Sequence, residues 1–166
     1  MKVLINNFLS ELNQEIAATK NILKLVPIEK YDWKPHEKSM SLGRLATHVA
    51  EIPSWFAKTI NQDVLDFATM KHEPFIAKTN DELMAFFNKN IKEAIEVLNA
   101  NYDDKLDEKW TMRAGDTIYF TLPKGEVVRT WCFNHWYHHR AQLGVYLRLL
   151  EIPLPRTYGP SADHSK

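Results

Sequence analysis

Apolar side chains return every third or fourth residue in four separate runs of this chain, and that rhythm limits its fold more than any other feature. The spacing matches the helical turn, so each run presents one apolar stripe that must be buried against a neighbour. The first run extends from about Val3 to Leu25, through Ile5, Phe8, Leu9, Leu12, Ile16 and Leu23. Val26 continues the stripe, and Pro27 ends the run because its ring cannot extend the hydrogen-bond ladder. The second begins after Ser39 or Ser41, either of which can cap a helix, and carries Leu42, Leu45, Val49, Ile52 and Phe56. Pro53 lies within it and predicts a kink one turn beyond His48. The third opens on the capping-box pattern Thr79-Asn-Asp-Glu82 and carries Leu83, Phe86, Phe87, Ile91, Ala94, Ile95 and Leu98. The fourth spans about Pro123 to Leu150, with Val128, Cys132, His135, His139, Leu143 and Tyr146 on one stripe.

Long connections join these runs. Residues 61–78 are polar and lack a clear period. Residues 101–122 contain two alternating stretches, Trp110–Arg113 and Thr117–Thr121, around Gly115-Asp116, which predicts a small hairpin. Ile152 to Lys166 carries three prolines and should lie as an extended tail. The expectation is therefore all-α: one domain over residues 1–166, a four-helix bundle with long crossover connections, and a small hairpin before the last helix. Long connections permit parallel neighbours, so a simple up-and-down order is not required.

Charge narrows the function. Lysine and arginine number 21, as do aspartate and glutamate. With no basic excess to neutralise phosphates, nucleic acid is a poor fit as a partner. A single cysteine excludes an internal disulfide and suits a reducing compartment. No stretch approaches a membrane span, and the apolar run at the start is too short for a signal peptide, so the expected location is cytoplasmic.

The chemistry points to histidine. His135 and His139 are four residues apart on a helical stripe, so their side chains share a face. His48 lies on the inward stripe of the second run. Three buried imidazoles without partners would be costly, and one shared divalent ion would satisfy them together. Spacing alone leaves open three separately satisfied histidines, because H-x-x-x-H pairs also arise by chance. His36, His72 and His164 fall in loops or the tail, and His138 is turned about 100° from His139, towards solvent or a partner.

Four neighbours carry two readings each. Cys132 is a fourth ligand or a reactive thiol, or it packs as a small apolar group, which is the favoured reading. Glu51, three residues past His48, orients a ligand or takes a proton, or forms a surface ion pair, the reading somewhat preferred. Arg140 clamps a substrate carboxylate or, by default, pairs with an acid on a neighbouring helix. Gln142 hydrogen-bonds an imidazole nitrogen or is ordinary helix-face polarity. Trp33, Trp55, Trp131 and Trp136 fit core or interface better than base stacking.

Three short elements give the chain a family likeness: Trp33-Lys-Pro35 followed by Ser39-Met-Ser41-Leu-Gly-Arg-Leu-Ala-Thr-His48; Asn134-His135-Trp-Tyr-His-His139-Arg140-Ala-Gln142; and Pro153-Leu-Pro155-Arg-Thr-Tyr158-Gly-Pro-Ser-Ala-Asp163. In order and spacing the chain resembles the DinB/YfiT-like superfamily of metalloenzymes. Ala141 stands where that family usually has glycine, a departure that does not touch the histidines. The resemblance implies a four-helix bundle, often a homodimer, and a divalent metal, often zinc or nickel, held by His48, His135 and His139. It also implies thiol-dependent chemistry, as in S-transferases, with a small thiol and an electrophile as substrates. A three-nitrogen site with an open position would equally suit a hydrolase. The non-catalytic alternative, a metal-stabilised dimeric binding module, needs Cys132 to complete the coordination.

Overall fold

The computed structural model describes residues 1–70 and 74–163; His72 and His164, read above as loop and tail residues, lie outside them. Helix α1 (Val3–Leu23) realises the first run. Its own sequence supplies no cap. Instead Asp103, about a hundred positions away, accepts from the Val3 and Ile5 N–H groups at 2.7 and 3.1 Å. A carboxylate there satisfies orphan donors and suits the positive end of the helix dipole.

Helix α2 (Leu42–Glu51) starts at Ser41, whose hydroxyl accepts from the Arg44 N–H at 3.2 Å. Every residue of α2 except Arg44 is buried. Gly43 is required at its first turn: a Cβ there would sit 2.6 Å from Cδ2 of Tyr31, whose ring packs on the helix. Pro53 does more than kink this run. It splits it, ending α2 at Glu51 and leaving α3 (Ser54–Asn61) as a separate helix. Buried Asn90 donates to the Ala50 carbonyl at 2.8 Å beside the break. Helix α4 (Asn80–Ala100) has the capping pattern expected, with Thr79 accepting from the Glu82 N–H at 3.1 Å.

After a short helix α5 (Asp103–Asp107), the hairpin forms from β2 (Lys109–Ala114) and β3 (Thr117–Pro123). Gly115, at φ +57°, is the first central residue of its two-residue turn, the position that favours glycine. The last run is compound: α6 (Lys124–Val127), a π-helical stretch over Val128–Asn134, then α7 (His135–Leu149).

The expectation of an all-α four-helix bundle needs correction. A third strand, β1 (Val64–Asp66), comes from the connection that showed no period and pairs in parallel with β2, giving a mixed sheet ordered β1-β2-β3. Three residues are too few to display an alternating pattern. Parallel pairing also needs a long crossover, which here includes α4 and α5. Asp66 secures the arrangement. Its carboxylate accepts from the Ala68 and Gly115 N–H groups, both at 3.0 Å, and pairs with Arg113 at 2.8 Å.

The main core draws on α1, α2, α3, α4, the π stretch and α7, with Leu12, Leu45, Phe56, Phe87, Phe133 and Trp136 fully buried. A smaller cluster of Trp110, Met112 and Val127 glues the sheet to α6. Between the two lies Lys124, wholly buried. Its ammonium donates to the Ile60 carbonyl, Asp63 and Glu108 at 2.9, 2.8 and 3.0 Å, so all three donors are used. Among the described residues, no helix is long and apolar enough to cross a membrane.

Candidate metal centre

Helices α2 and α7 bring three imidazoles to one point. The ligand atoms of His48, His135 and His139 lie within 4.8 Å of one another, and among the described residues no other histidine, cysteine or acid joins them. His48 Nε2 and His135 Nε2 are 3.3 Å apart. Two nitrogens on a tetrahedral zinc at about 2.0–2.1 Å would stand about 3.3–3.4 Å apart, so this pair already has ligand spacing. His48 and His139 are buried, and His135 is half-buried.

The outer nitrogens are tied. Nδ1 of His48 is 3.2 Å from Glu51 Oε2, and Nδ1 of His139 is 2.7 Å from Gln142 Oε1. Both oxygens accept, so each Nδ1 carries the proton and each Nε2 presents a lone pair inward. This is how metal-ligating histidines are oriented. Arg44 stands 3.7 Å from Glu51 Oε2 and supports its negative charge. Burial, reinforced by the neighbouring imidazoles, pushes His135 down to about 4. Burial also pushes His139 down to about 4, against the opposing Gln142 bond and with help from His48. Both are neutral at pH 7, the form that ligates metal.

The four ambiguous neighbours separate. Glu51 is buried beside His48, which favours the orienting role over the surface pair. Gln142 bonds a ring nitrogen. Arg140 takes its default part: it pairs with Glu15 of α1 at 2.5 Å and donates to Thr19 at 3.1 Å and to Tyr158 at 2.5 Å. It pins the tail to α1 and is spent as a substrate clamp. Cys132 lies outside the cluster, fully buried with its sulfur 3.6 Å from the Thr59 hydroxyl, and burial pushes its thiol up to about 12. The wider π winding between Cys132 and His135 turns the thiol off the histidine face. His138 is exposed, as expected.

Sequence reasoning missed the surroundings. The His135 ring packs against both Trp55 and Trp131, at centroid distances of 4.9 and 5.1 Å. These indoles stack on each other at 5.7 Å and 18°. Trp131 stands four residues before His135 on the same run, a spacing that a closer reading would have found, whereas Trp55 lies across the Pro53 break in α3. A cavity of about 130 Å³ opens beside His48 and Glu51, walled by these two indoles and by Trp110 and Leu65 from the sheet. No local pattern marks the sheet residues as neighbours of the histidines.

A model of the DinB family matches residues 1–166, the whole chain.

The chain belongs to the DinB family.

No curated protein matches it. Among solved structures it is similar to the DinB-like protein YjoA from Bacillus subtilis, at 20% identity and a TM-score of 0.69, covering 91% of this chain and 97% of that one. It is similar also to a DinB-like protein from Bacillus cereus, at 19% identity and a TM-score of 0.70, covering 92% of this chain and 97% of that one. At these identities the likeness establishes a shared DinB-like fold.

Proposed function

We propose that this DinB-family chain is a metal-dependent enzyme that transfers a small thiol to an electrophile, with His48, His135 and His139 as the metal ligands. One observation carries the reading: three imidazoles converge, with two of their outer nitrogens anchored, beside a cavity large enough for part of a substrate. The donor set fits zinc or nickel, both of which accept imidazole. With Cys132 turned away, the protein offers three nitrogens and leaves a position open, the pattern of catalytic rather than structural sites. That favours an enzyme over a closed, metal-stabilised binding module.

A bound divalent cation would supply Lewis acidity, stabilising the thiolate that is the reactive form of a thiol. The chain's own residues do the rest. Glu51 and Gln142 hold protons at Nδ1 of His48 and His139, fixing the tautomers. Trp55 and Trp131 screen the His135 side from water. The overall change is R–SH plus R′–X giving R–S–R′ plus HX: a carbon–sulfur bond forms, the carbon–X bond breaks, X leaves with the electron pair, and the thiol proton leaves with it. The family resemblance supplies the choice of thiol over water as nucleophile.

The test begins with untagged protein and its metal content per chain. His48→Ala, His135→Ala and His139→Ala should each lose the metal, and Cys132→Ala should keep it. Glutathione, bacillithiol and cysteine are then assayed with chlorodinitrobenzene, and an activated ester is assayed without thiol. Thiol consumption that depends on all three histidines supports the transferase. Ester turnover without thiol would convert the reading to a hydrolase. Full metal retention in the triple alanine variant would end it.

A further inference from the structure

The cavity beside the histidines carries more information than a metal site requires. Its lining includes three indoles, Trp55, Trp110 and Trp131, together with Leu65 and Phe67. Phe67 is 42% exposed, which marks that side as the mouth. An apolar cavity of about 150 Å³ accepts a benzene ring, so the volume of about 130 Å³ here suits one six-membered ring in a snug fit. Flat indole walls favour an aromatic ring over a flexible aliphatic chain through edge and face contacts.

The charges on the lining are unequal. Glu51 is engaged with His48 and Arg44. Lys58 is exposed and, among the described residues, its ammonium forms no ion pair. Helix α3 orders these groups along the cavity. Trp55 touches His48, with ring centroids 5.6 Å apart. Lys58 and Gln62 follow Trp55 by three and seven residues, about 5 and 10 Å further along the helix axis. The cavity therefore has a histidine end, an aromatic middle and a cationic, amide-bearing far rim.

We propose that this cavity binds a small aromatic carboxylic acid, its ring among Trp55, Trp110 and Trp131 and its carboxylate at Lys58, which leaves the opposite edge of the ring facing the histidines. The proposal deepens the enzymatic reading by naming the class of the acceptor substrate, but the binding itself needs no metal, so the two can fail separately. The three tryptophans are the reporters. Phenylacetate, phenylacetamide and hexanoate are titrated into zinc-loaded protein and into metal-free protein, following indole fluorescence and amide chemical shifts.

The expected result is saturable binding of phenylacetate in both forms, with weaker binding of hexanoate. Lys58→Met, a change on an exposed helix face, should weaken phenylacetate about fivefold, the upper range for a solvent-screened ion pair, and leave phenylacetamide unchanged. Leu65→Phe, which fills the cavity, should abolish binding of both ring compounds. The proposal is overturned by any of three outcomes: no saturable binding, equal binding of hexanoate, or phenylacetate binding that ignores Lys58→Met and vanishes with the metal. The last would place the acid on the ion. If phenylacetate binds metal-free protein but no thiol transfer is found, this proposal stands and the transferase falls.

Discussion

Glu51 and Gln142 are the residues through which the candidate centre is tuned. Each accepts a hydrogen bond from a proton-bearing Nδ1, so each fixes the orientation of an imidazole. Removing such a support typically lowers metal affinity about 10–100-fold. Glu51→Ala and Gln142→Ala should therefore weaken zinc by that factor in competition with a chromophoric chelator, whereas His138→Ala, at an exposed position, should not. Equal affinity in all three variants would show the outer contacts to be incidental. Cys132 supplies the opposite case. Its thiol is pushed up to about 12 by burial, only partly offset by Thr59, so the nucleophilic thiolate is scarce. Reaction with an aromatic disulfide reagent at pH 8 should be slow in native protein and become complete only as denaturant unfolds it. Rapid modification of native protein would contradict the burial.

Elements are joined in this molecule by charged side chains as much as by the apolar core. Lys124 opens α6 and ties the end of α3, the approach to β1 and the residue after α5 at one point. Lys124→Met keeps the stem and removes the three donors. The Ile60 carbonyl would then lose its buried partner, whereas Asp63 and Glu108 can rehydrate. The expected loss is about 2 kcal/mol of stability in urea denaturation. Because Lys124 holds the sheet against α3, the wall formed by Trp110 and Leu65 should loosen too, seen as altered indole fluorescence before global unfolding. A variant as stable as the parent would refute this account. None of it is visible in the sequence, where Lys124 reads as an ordinary first-turn residue after Pro123. Helix starts at Ser41 and Thr79 were legible because their caps are local. The start of α1 near Val3 was legible from its stripe, but its cap was not, because that is Asp103.

Across the whole molecule, several carboxylates are held below their ordinary range. Arg129 donates two hydrogen bonds to Glu11, at 2.6 and 2.7 Å, and lowers its carboxyl despite partial burial, with help from Tyr137. Arg148 does the same for Asp163, anchoring the tail to α7. A folded value below the unfolded one means that the unfolded chain binds more protons between the two. Such stability is present above the unfolded carboxylate range and is lost as the pH falls through the folded value. The stability difference between the parent and Glu11→Gln should therefore hold steady above about pH 5 and shrink below it, measured by urea denaturation of metal-free protein. A difference independent of pH would assign the effect to shape rather than charge.

The sequence by itself determined where the long helices run, that His135 and His139 share a face, and that His48 points inward. Those facts follow from hydrogen bonds and side-chain spacings within four residues, which a linear pattern records. Tertiary structure decided the rest. It paired β1 with β2 across the α4 crossover, turned Cys132 from the histidines through the π stretch, and set the sheet's Trp110 and Leu65 beside α3. Each of these depends on packing between segments distant in the chain or on a local change of winding, and neither leaves a period to read.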